Sequence, residues 1–282
     1  MTIKTLRSRI PHLLTAVLML LGLMTAATAQ AQAAPQRLTG SATICSNSPI
    51  PTGWVITSSY SSSNCPGTGY AYSITDTAGT GYTTVCSFSP IPAGWVVTSS
   101  FSTSTCAGSG YAYSISSTTG TGYATVCSFS PIPAGWVVTS SYSTSNCPGT
   151  GYAYSITSTT GTSYATVCSF SPIPTNWVIT SSYSTSNCPG TGYAYTITST
   201  TGTSYATVCS FTRIPTGWVV TSSYSTSNCA GSGYAYTIAS TTGISYATVC
   251  SFSPIPTGWV VTSSFSTSNC AGSGYAYTIS KA

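Results

Sequence analysis

The sequence has almost no ionisable side chains. Asp and Glu together contribute one residue, Asp76, and the single histidine, His12, lies in an N-terminal segment that we expect to be removed. General acid–base catalysis needs titratable groups with a pKa near the working pH. The paired carboxylates of a glycosidase and a Ser-His-Asp triad are therefore both excluded. The sequence predicts a protein that is not an enzyme and uses no cofactor.

Cations are also scarce. The net charge of the whole chain is +5, and three of its six cations lie within the first nine residues. Without those three, the charge falls to +2, from Arg37, Arg213 and Lys281 against Asp76. A nucleic-acid partner needs clustered Lys and Arg, and an anionic membrane surface attracts polybasic segments. We therefore expect neither partner.

The N-terminal 33 residues have the pattern of a signal peptide. Basic residues precede a short apolar run, Leu13–Met24, and Ala31-Gln32-Ala33 is a small-x-small cleavage site. The run is short for a membrane helix of about 20 residues. We expect cleavage, no membrane span afterwards, and export to the periplasm, the cell surface or the medium.

The rest of the chain is one unit repeated six times at a period of 41 residues. The copy that starts at Cys127 reads CSFSPIPAGWVVTSSYSTSNCPGTGYAYSITSTTGTSYATV. Such a period indicates a repeat architecture. The array opens on the segment that precedes the first cysteine of later copies, so the unit begins there. This phase gives a linker at 34–40 and repeats at 41–75, 82–116, 123–157, 164–198, 205–239 and 246–280.

Twelve cysteines recur at alternating spacings of 20 and 21 residues. Zinc sites favour close cysteine pairs and histidine, and neither is present after residue 33, so we expect disulfides and no metal. Pairing inside each repeat uses every cysteine, whereas a pairing shifted by one step would leave Cys45 and Cys270 to pair with each other or stay free. The expected bridges are Cys45–Cys65, Cys86–Cys106, Cys127–Cys147, Cys168–Cys188, Cys209–Cys229 and Cys250–Cys270.

Each repeat predicts three short strands, such as YATVCSF, WVVTSSY and YAYSIT, because these segments are rich in β-branched and aromatic residues. Strict alternation would place Trp136, Val138, Ser140 and Tyr142 on one face. The Thr-Thr-Gly-Thr connector could form a hairpin turn to the next repeat. No helical period follows the signal peptide, so the predicted fold is all-β.

Two substitutions among the repeats predict the conformation of the loop before the second strand. Asn176 stands where the other copies have glycine, such as Gly135, which predicts a positive φ at this position. Arg213 replaces the first proline of the Ser-Pro-Ile-Pro segment, which predicts that this loop faces solvent.

A single repeat is too small to bury a sufficient core, since domains below about 40 residues usually need disulfides or a neighbour. We expect six three-stranded, disulfide-stapled modules in a linear stack or rod. A six-bladed β-propeller is an alternative, although its blades have four strands. Two β-trefoils are the other alternative.

The remaining side chains favour surface contact. Aromatic rings beside neutral hydroxyls and amides suit sugars, and six weak sites would gain by multivalency. Small β-modules also bury such rings as core. The candidate binding residues are Trp54, Trp95, Trp136, Trp177, Trp218 and Trp259, with the pairs Tyr70/Tyr72, Tyr111/Tyr113, Tyr152/Tyr154, Tyr193/Tyr195, Tyr234/Tyr236 and Tyr275/Tyr277.

Three functions are open at this point. The first is adhesion or multivalent glycan binding at a cell surface. The second is a purely structural extracellular spacer or matrix component, which tandem uncharged modules also suit. The third is ice binding through runs such as Thr196–Thr200. The asparagine before the second cysteine of most repeats, as in Asn146, is a candidate polar partner for a sugar or a turn residue.

Overall fold

The computed structural model describes residues 40–282, so the predicted signal peptide and all of the linker except Gly40 lie outside the described residues. The described chain contains eighteen strands and no helix, which confirms the all-β prediction. A membrane-spanning apolar helix is not found among these residues. The strands are β1 (Ser41–Cys45), β2 (Trp54–Ser61), β3 (Tyr70–Asp76), β4 (Tyr82–Cys86), β5 (Trp95–Ser102), β6 (Tyr111–Ser117), β7 (Tyr123–Cys127), β8 (Trp136–Ser143), β9 (Tyr152–Ser158), β10 (Tyr164–Cys168), β11 (Trp177–Ser184), β12 (Tyr193–Ser199), β13 (Tyr205–Cys209), β14 (Trp218–Ser225), β15 (Tyr234–Ser240), β16 (Tyr246–Cys250), β17 (Trp259–Ser266) and β18 (Tyr275–Lys281).

Successive groups of three strands form six separate antiparallel sheets, which we number as modules 1 to 6. In each sheet the third strand lies in the centre, so module 3 has the order β7-β9-β8. Because the third strand pairs only within its own module, the connector does not form the predicted hairpin to the next module. It folds back instead: the Thr159 N–H donates to the Gly135 carbonyl at 2.8 Å, which anchors the connector on the loop before the second strand.

The second strand of every module contains a β-bulge. In module 3 the pairing with β9 shifts between Val138 and Ser140, which leaves Thr139 as the extra residue. The Thr139 hydroxyl donates to the Ser155 carbonyl at 3.2 Å. The bulge reverses the alternation of the side chains that follow it. Val138 lies opposite Ile156 and Tyr142 lies opposite Ala153, and these two partners point to opposite faces of β9. The prediction that Trp136, Val138, Ser140 and Tyr142 share one face is therefore wrong.

All twelve cysteines pair inside their own modules, as predicted, with Cα–Cα distances of 5.3–5.4 Å. Each bridge joins the end of the first strand to the turn before the third. It therefore ties together two segments that the ladder hydrogen bonds do not join directly.

The hydrophobic core is shared between consecutive modules. Trp136, Val138 and Ile156 of module 3 pack against the Cys168–Cys188 bridge and Ala194 of module 4. Trp136 therefore packs on the disulfide of the following module and not on that of its own module. Equivalent clusters recur along the array, and each internal one combines residues from three consecutive modules.

Hydrogen bonds join the same surfaces. The Val138 N–H donates to the Ser171 hydroxyl at 2.8 Å, and the Ser141 N–H donates to the Asn187 carbonyl at 3.0 Å. Both bonds recur at all five joints between modules. The bulge explains the second bond, because it turns the Ser141 N–H away from β9 and towards the next module.

The modules form an open stack. The second strand of each module contacts the first strand of the next, and in residues 40–282 no strand of module 6 contacts module 1. A closed propeller needs that contact. The predicted linear stack is therefore confirmed, and the six-bladed propeller is excluded. The three-stranded sheets also do not close into the barrels that β-trefoils require.

The loop predictions hold. Asn176 has φ 63°, close to the 76° of Gly135, and Arg213 is exposed. Asp76 follows the first repeat as bounded from the sequence, 41–75, but the structure includes it in the module. It is the last residue of β3, is buried, and its Oδ1 accepts a hydrogen bond from the Ala78 N–H at 3.0 Å. The carboxylate thus closes the turn that a serine hydroxyl closes at Ser158.

Candidate functional site

The tyrosine pairs of modules 1 and 2 line grooves at the joints with the next module. Between modules 2 and 3, Tyr111 and Tyr113 of β6 face Phe129 and the Pro148–Thr150 turn across a groove of about 490 Å³. Between modules 1 and 2, Tyr70 and Tyr72 face Phe88 in a groove of about 430 Å³. We call each such site, built from the tyrosine pair of one module and the phenylalanine and turn of the next, a tyrosine groove.

The two tyrosines of a pair have different environments. The second ring packs against the phenylalanine of the next module, as in Tyr113–Phe129 with centroids 5.2 Å apart, and is half-buried. This ring contact recurs at all five joints at 5.2–5.6 Å. The first ring stays open to solvent, with 41–55% of its surface exposed across the six modules. Each groove therefore has one fixed aromatic wall and one accessible ring.

The second tyrosine of each pair is less accessible than the first. All six are half-buried and pack against the hydrophobic clusters of the core, because the sheet covers one side of each ring. They are Tyr72, Tyr113, Tyr154, Tyr195, Tyr236 and Tyr277. In the internal modules Tyr154, Tyr195 and Tyr236 are further held by Phe170, Phe211 and Phe252. These rings therefore form the groove wall, and the first ring of each pair is the more accessible one; the binding role of both stays a prediction.

Local sequence explains this placement. The tyrosines lie two residues apart in a strand, so both side chains are on one face. The opposing turn follows the second cysteine, and Gly149 in it adopts φ 106°, a backbone conformation that residues with a side chain rarely adopt. The disulfide holds the turn at that position.

The polar groups of the groove are neutral. Ser87, Ser100 and Thr150 contribute hydroxyls to the groove between modules 2 and 3, and no charged residue lines it. The Thr150 hydroxyl accepts from Ser128 at 2.7 Å, so the rim is partly preorganised. Such a surface offers rings and hydroxyl groups and no acid or base.

The structure places the tryptophans away from the tyrosine grooves. Trp136 pairs with Ser158 at one end of the sheet, whereas Tyr152 pairs with Ser143 at the other. A second kind of groove, of about 500 Å³, lies at the tryptophan end and is lined by Pro133 and Trp136 among others. The two sets of candidate aromatics thus do not form one site.

Burial also separates the tryptophans from the accessible tyrosines. Four of them are buried in the joints: Trp54, Trp95, Trp136 and Trp218. Trp177 and Trp259 are half-buried. Five tryptophans therefore pack in the joints between modules and Trp259 packs on module 6, while the binding role of the tryptophans stays a prediction.

The asparagine before the second cysteine is held at the joint by its backbone. The Asn187 carbonyl accepts a hydrogen bond from the Ser141 N–H of the preceding module at 3.0 Å, and the Asn187 N–H donates to the Thr185 hydroxyl at 3.1 Å, while the residue is exposed. In the candidate ice-binding run, Thr196 and Thr198 are half-buried and Thr200 is buried. That run therefore offers no row of exposed threonines.

Sequence reasoning missed two sets of aromatic residues. The first is the groove phenylalanines Phe88, Phe129, Phe170, Phe211 and Phe252. The second is the exposed first-strand tyrosines Tyr82, Tyr123, Tyr164, Tyr205 and Tyr246. The sequence contains a signal for the phenylalanines, because module 1 has Asn47 at their position and no module packs before it in the described residues.

Two of the first-strand tyrosines have a lowered pKa. Hydrogen bonding to Ser114 and then Thr84 lowers the pKa of Tyr82, and Ser155 and Thr125 act likewise on the pKa of Tyr123.

Among residues 40–282 no group of three metal-ligating side chains comes together. Comparison with known proteins finds no family model, no curated protein and no solved structure that matches this chain.

Proposed function

We propose that this chain is an exported, non-catalytic protein that binds neutral glycans through its repeated tyrosine grooves and acts by adhesion. The observation that carries the proposal is an accessible tyrosine ring beside neutral hydroxyls in the grooves of the first two joints. The tyrosine–phenylalanine contact that forms the groove wall is repeated at all five joints. The ring would cover the C–H face of a sugar while the hydroxyls meet its OH groups. Six disulfides indicate folding in an oxidising environment, which fits export.

Repetition compensates for weak individual sites. Each groove is shallow and would bind a sugar weakly, but linked sites raise overall avidity by about 10² or more when the target is multivalent. A complete groove needs a following module for its phenylalanine. The tyrosine–phenylalanine contact is formed at five joints, since Tyr275 and Tyr277 have no phenylalanine opposite them in the described chain, and we therefore expect five complete grooves.

A glycan array with the mature protein tests the proposal. The decisive variant replaces the first tyrosine of each pair with alanine at Tyr70, Tyr111, Tyr152, Tyr193, Tyr234 and Tyr275. The matched control makes the same change at the equally exposed aromatics outside the grooves: Tyr60, Phe101, Tyr142, Tyr183, Tyr224 and Phe265.

We expect the groove variant to lose binding and the control to keep it, with both retaining the thermal unfolding midpoint of the parent to within a few degrees. Binding that survives in the groove variant, or that is lost equally in the control, contradicts the proposal. Titration of a bound glycan should give five sites per chain, whereas six sites would mean that each tyrosine pair acts without its phenylalanine.

A structural spacer is the second candidate, and the open stack supports it, since identical joints extend the array in one direction. An array with no binding to any glycan would leave this role. Small-angle scattering then gives the test: a spacer should have a maximum dimension far above that of a compact globule of equal mass.

A further inference from the structure

The second strand of module 6 is exposed where its counterparts are core. Val260 and Val261 are each 48% exposed, whereas Val137 and Val138 are 0% and 1% exposed. Ser264 is exposed, while Ser141 is buried. We call the surface formed by Trp259, Val260, Val261 and Ser264 the outward face.

The outward face has the features of an internal joint. β17 reads WVVTSSFS and has the same bulge as β8, so its Val261 and Ser264 N–H groups point outward as those of Val138 and Ser141 do. Natural edge strands are commonly protected by charges or proline, and terminal repeats by a polar outer surface. β17 contains no charge and no proline.

Module 1 presents the matching surface. Its Ser48 hydroxyl occupies the position of Ser171, and its Cys45–Cys65 bridge occupies the position of Cys168–Cys188. Ile44 and Cys45 are half-buried, whereas Val167 and Cys168 are fully buried by the preceding module. The receptor half of the joint is therefore open in the described chain.

Three departures weaken this match without removing it. Asn47 stands where a phenylalanine would pack on Tyr277, so one ring contact is missing. Pro66 has no N–H to donate to the module that precedes it. Pro148 and Pro189 occupy the same position in two internal joints, so a joint forms without that donor. Lys281 lies opposite Trp259, where the other modules have Ser or Asp. The contact between copies should thus be weaker than an internal joint.

We propose that the chain associates head to tail, with the outward face of module 6 seated on module 1 of a second copy. The Val261 N–H donates to the Ser48 hydroxyl, and the Ser264 N–H donates to the Asn64 carbonyl. Because the two surfaces differ, the contact is heterologous. A contact with the geometry of the internal joints continues their open stack, in which five successive joints of the described chain bring no strand of module 6 to module 1, so it builds an open filament. This association continues the five internal joints and does not depend on glycan binding.

Sedimentation velocity of the mature protein over a concentration range tests the proposal. The mean mass should rise reversibly with concentration and pass beyond that of a dimer. Val261→Lys should lower the association constant at least about tenfold, because it places an unpaired charge in the contact. The matched control is Phe265→Lys, since its counterpart Tyr142 is 42% exposed even with a module following it. That control should associate like the parent.

Asn47→Phe provides an independent test that does not risk the fold, because Asn47 is exposed. It restores the ring opposite Tyr277 and should strengthen association between about twofold and tenfold. A parent and an Asn47→Phe variant that are both monomeric at every concentration overturn the proposal. A mass that stops at a dimer and does not respond to Asn47→Phe also overturns it, because it indicates two β17 edges paired with each other.

Discussion

Module 3 and module 6 have nearly the same second strand and opposite environments for it. β8 reads WVVTSSYS and β17 reads WVVTSSFS, yet Val138 is fully buried and Val261 is about half exposed. The residues that cover Val138 come from module 4. The comparison shows that the following module, and not the strand's own sequence, turns this strand into core. Stability should then be a sum over modules and joints, as in other repeat proteins.

The largest expected difference comes from a charge placed in the two equivalent positions. Val138→Asp leaves an unpaired carboxylate inside a joint and should lower the free energy of unfolding by at least about 3 kcal/mol. Val261→Asp places the same group in solvent and should cost less than about 1 kcal/mol. Guanidinium unfolding of the monomer measures both. Equal losses in the free energy of unfolding would contradict the claim that the following module buries Val138.

Removing a disulfide should have the next largest effect. Replacing Cys45 and Cys65 with alanine should cost about 3 kcal/mol from the freed loop alone. Replacing Cys127 and Cys147 should cost about 1–2 kcal/mol more, because that bridge also fills the core under Trp95 and Val97 of module 2. Unfolding of the two double variants, side by side, checks the order; a smaller loss for the internal bridge contradicts a shared core.

The serine in the joint should have a smaller effect. Ser171→Ala leaves the buried Val138 N–H without its acceptor and should cost about 1–3 kcal/mol. Ser48→Ala, in the open end of module 1, should cost less than about 0.5 kcal/mol. The natural control is Ser171→Thr, because Thr212 makes this bond in module 5 at 2.9 Å. A threonine variant as unstable as the alanine variant would argue against the bond.

The smallest difference is expected where the two modules have the same environment. Tyr142 and Phe265 are 42% and 44% exposed. Tyr142→Ser and Phe265→Ser should each cost about 0.5–1 kcal/mol, within error of each other. Thermal unfolding of the two variants measures this. A much larger loss for Tyr142→Ser would mean that the following module also covers this position.

The local features of the fold could be predicted from the sequence. The period, the pairing of the cysteines and the positive φ at Asn176 all follow from comparing one repeat with the next. The central position of the third strand could not, since pairing order depends on contacts distant in sequence. The bulge at Thr139 was also missed, because one extra residue among β-branched and hydroxyl side chains leaves no mark in the composition. It reversed every side chain after it, including Tyr142.

The candidate site was half predictable. Alternation in the third strand placed Tyr111 and Tyr113 together, and the structure does so. Their partner Phe129 belongs to the next module, and no pattern within one repeat indicates that contact. The burial of Trp136 against a neighbouring disulfide has the same cause, as does the packing of Tyr154 on the next module. For the candidate site, the tyrosine pair within one module could be predicted and the contacts that it makes with the next module could not.

Amide hydrogen exchange of the dilute monomer tests the shared core most directly. The N–H groups of Val138 and Val261 occupy equivalent positions, but only the first has a hydroxyl from a following module. Exchange at Val138 and Ser141 should be slow and set by opening of the joint, whereas Val261 and Ser264 should exchange near the rate of an exposed strand edge. Equal protection at the four groups in the monomer would contradict a core that is made between modules.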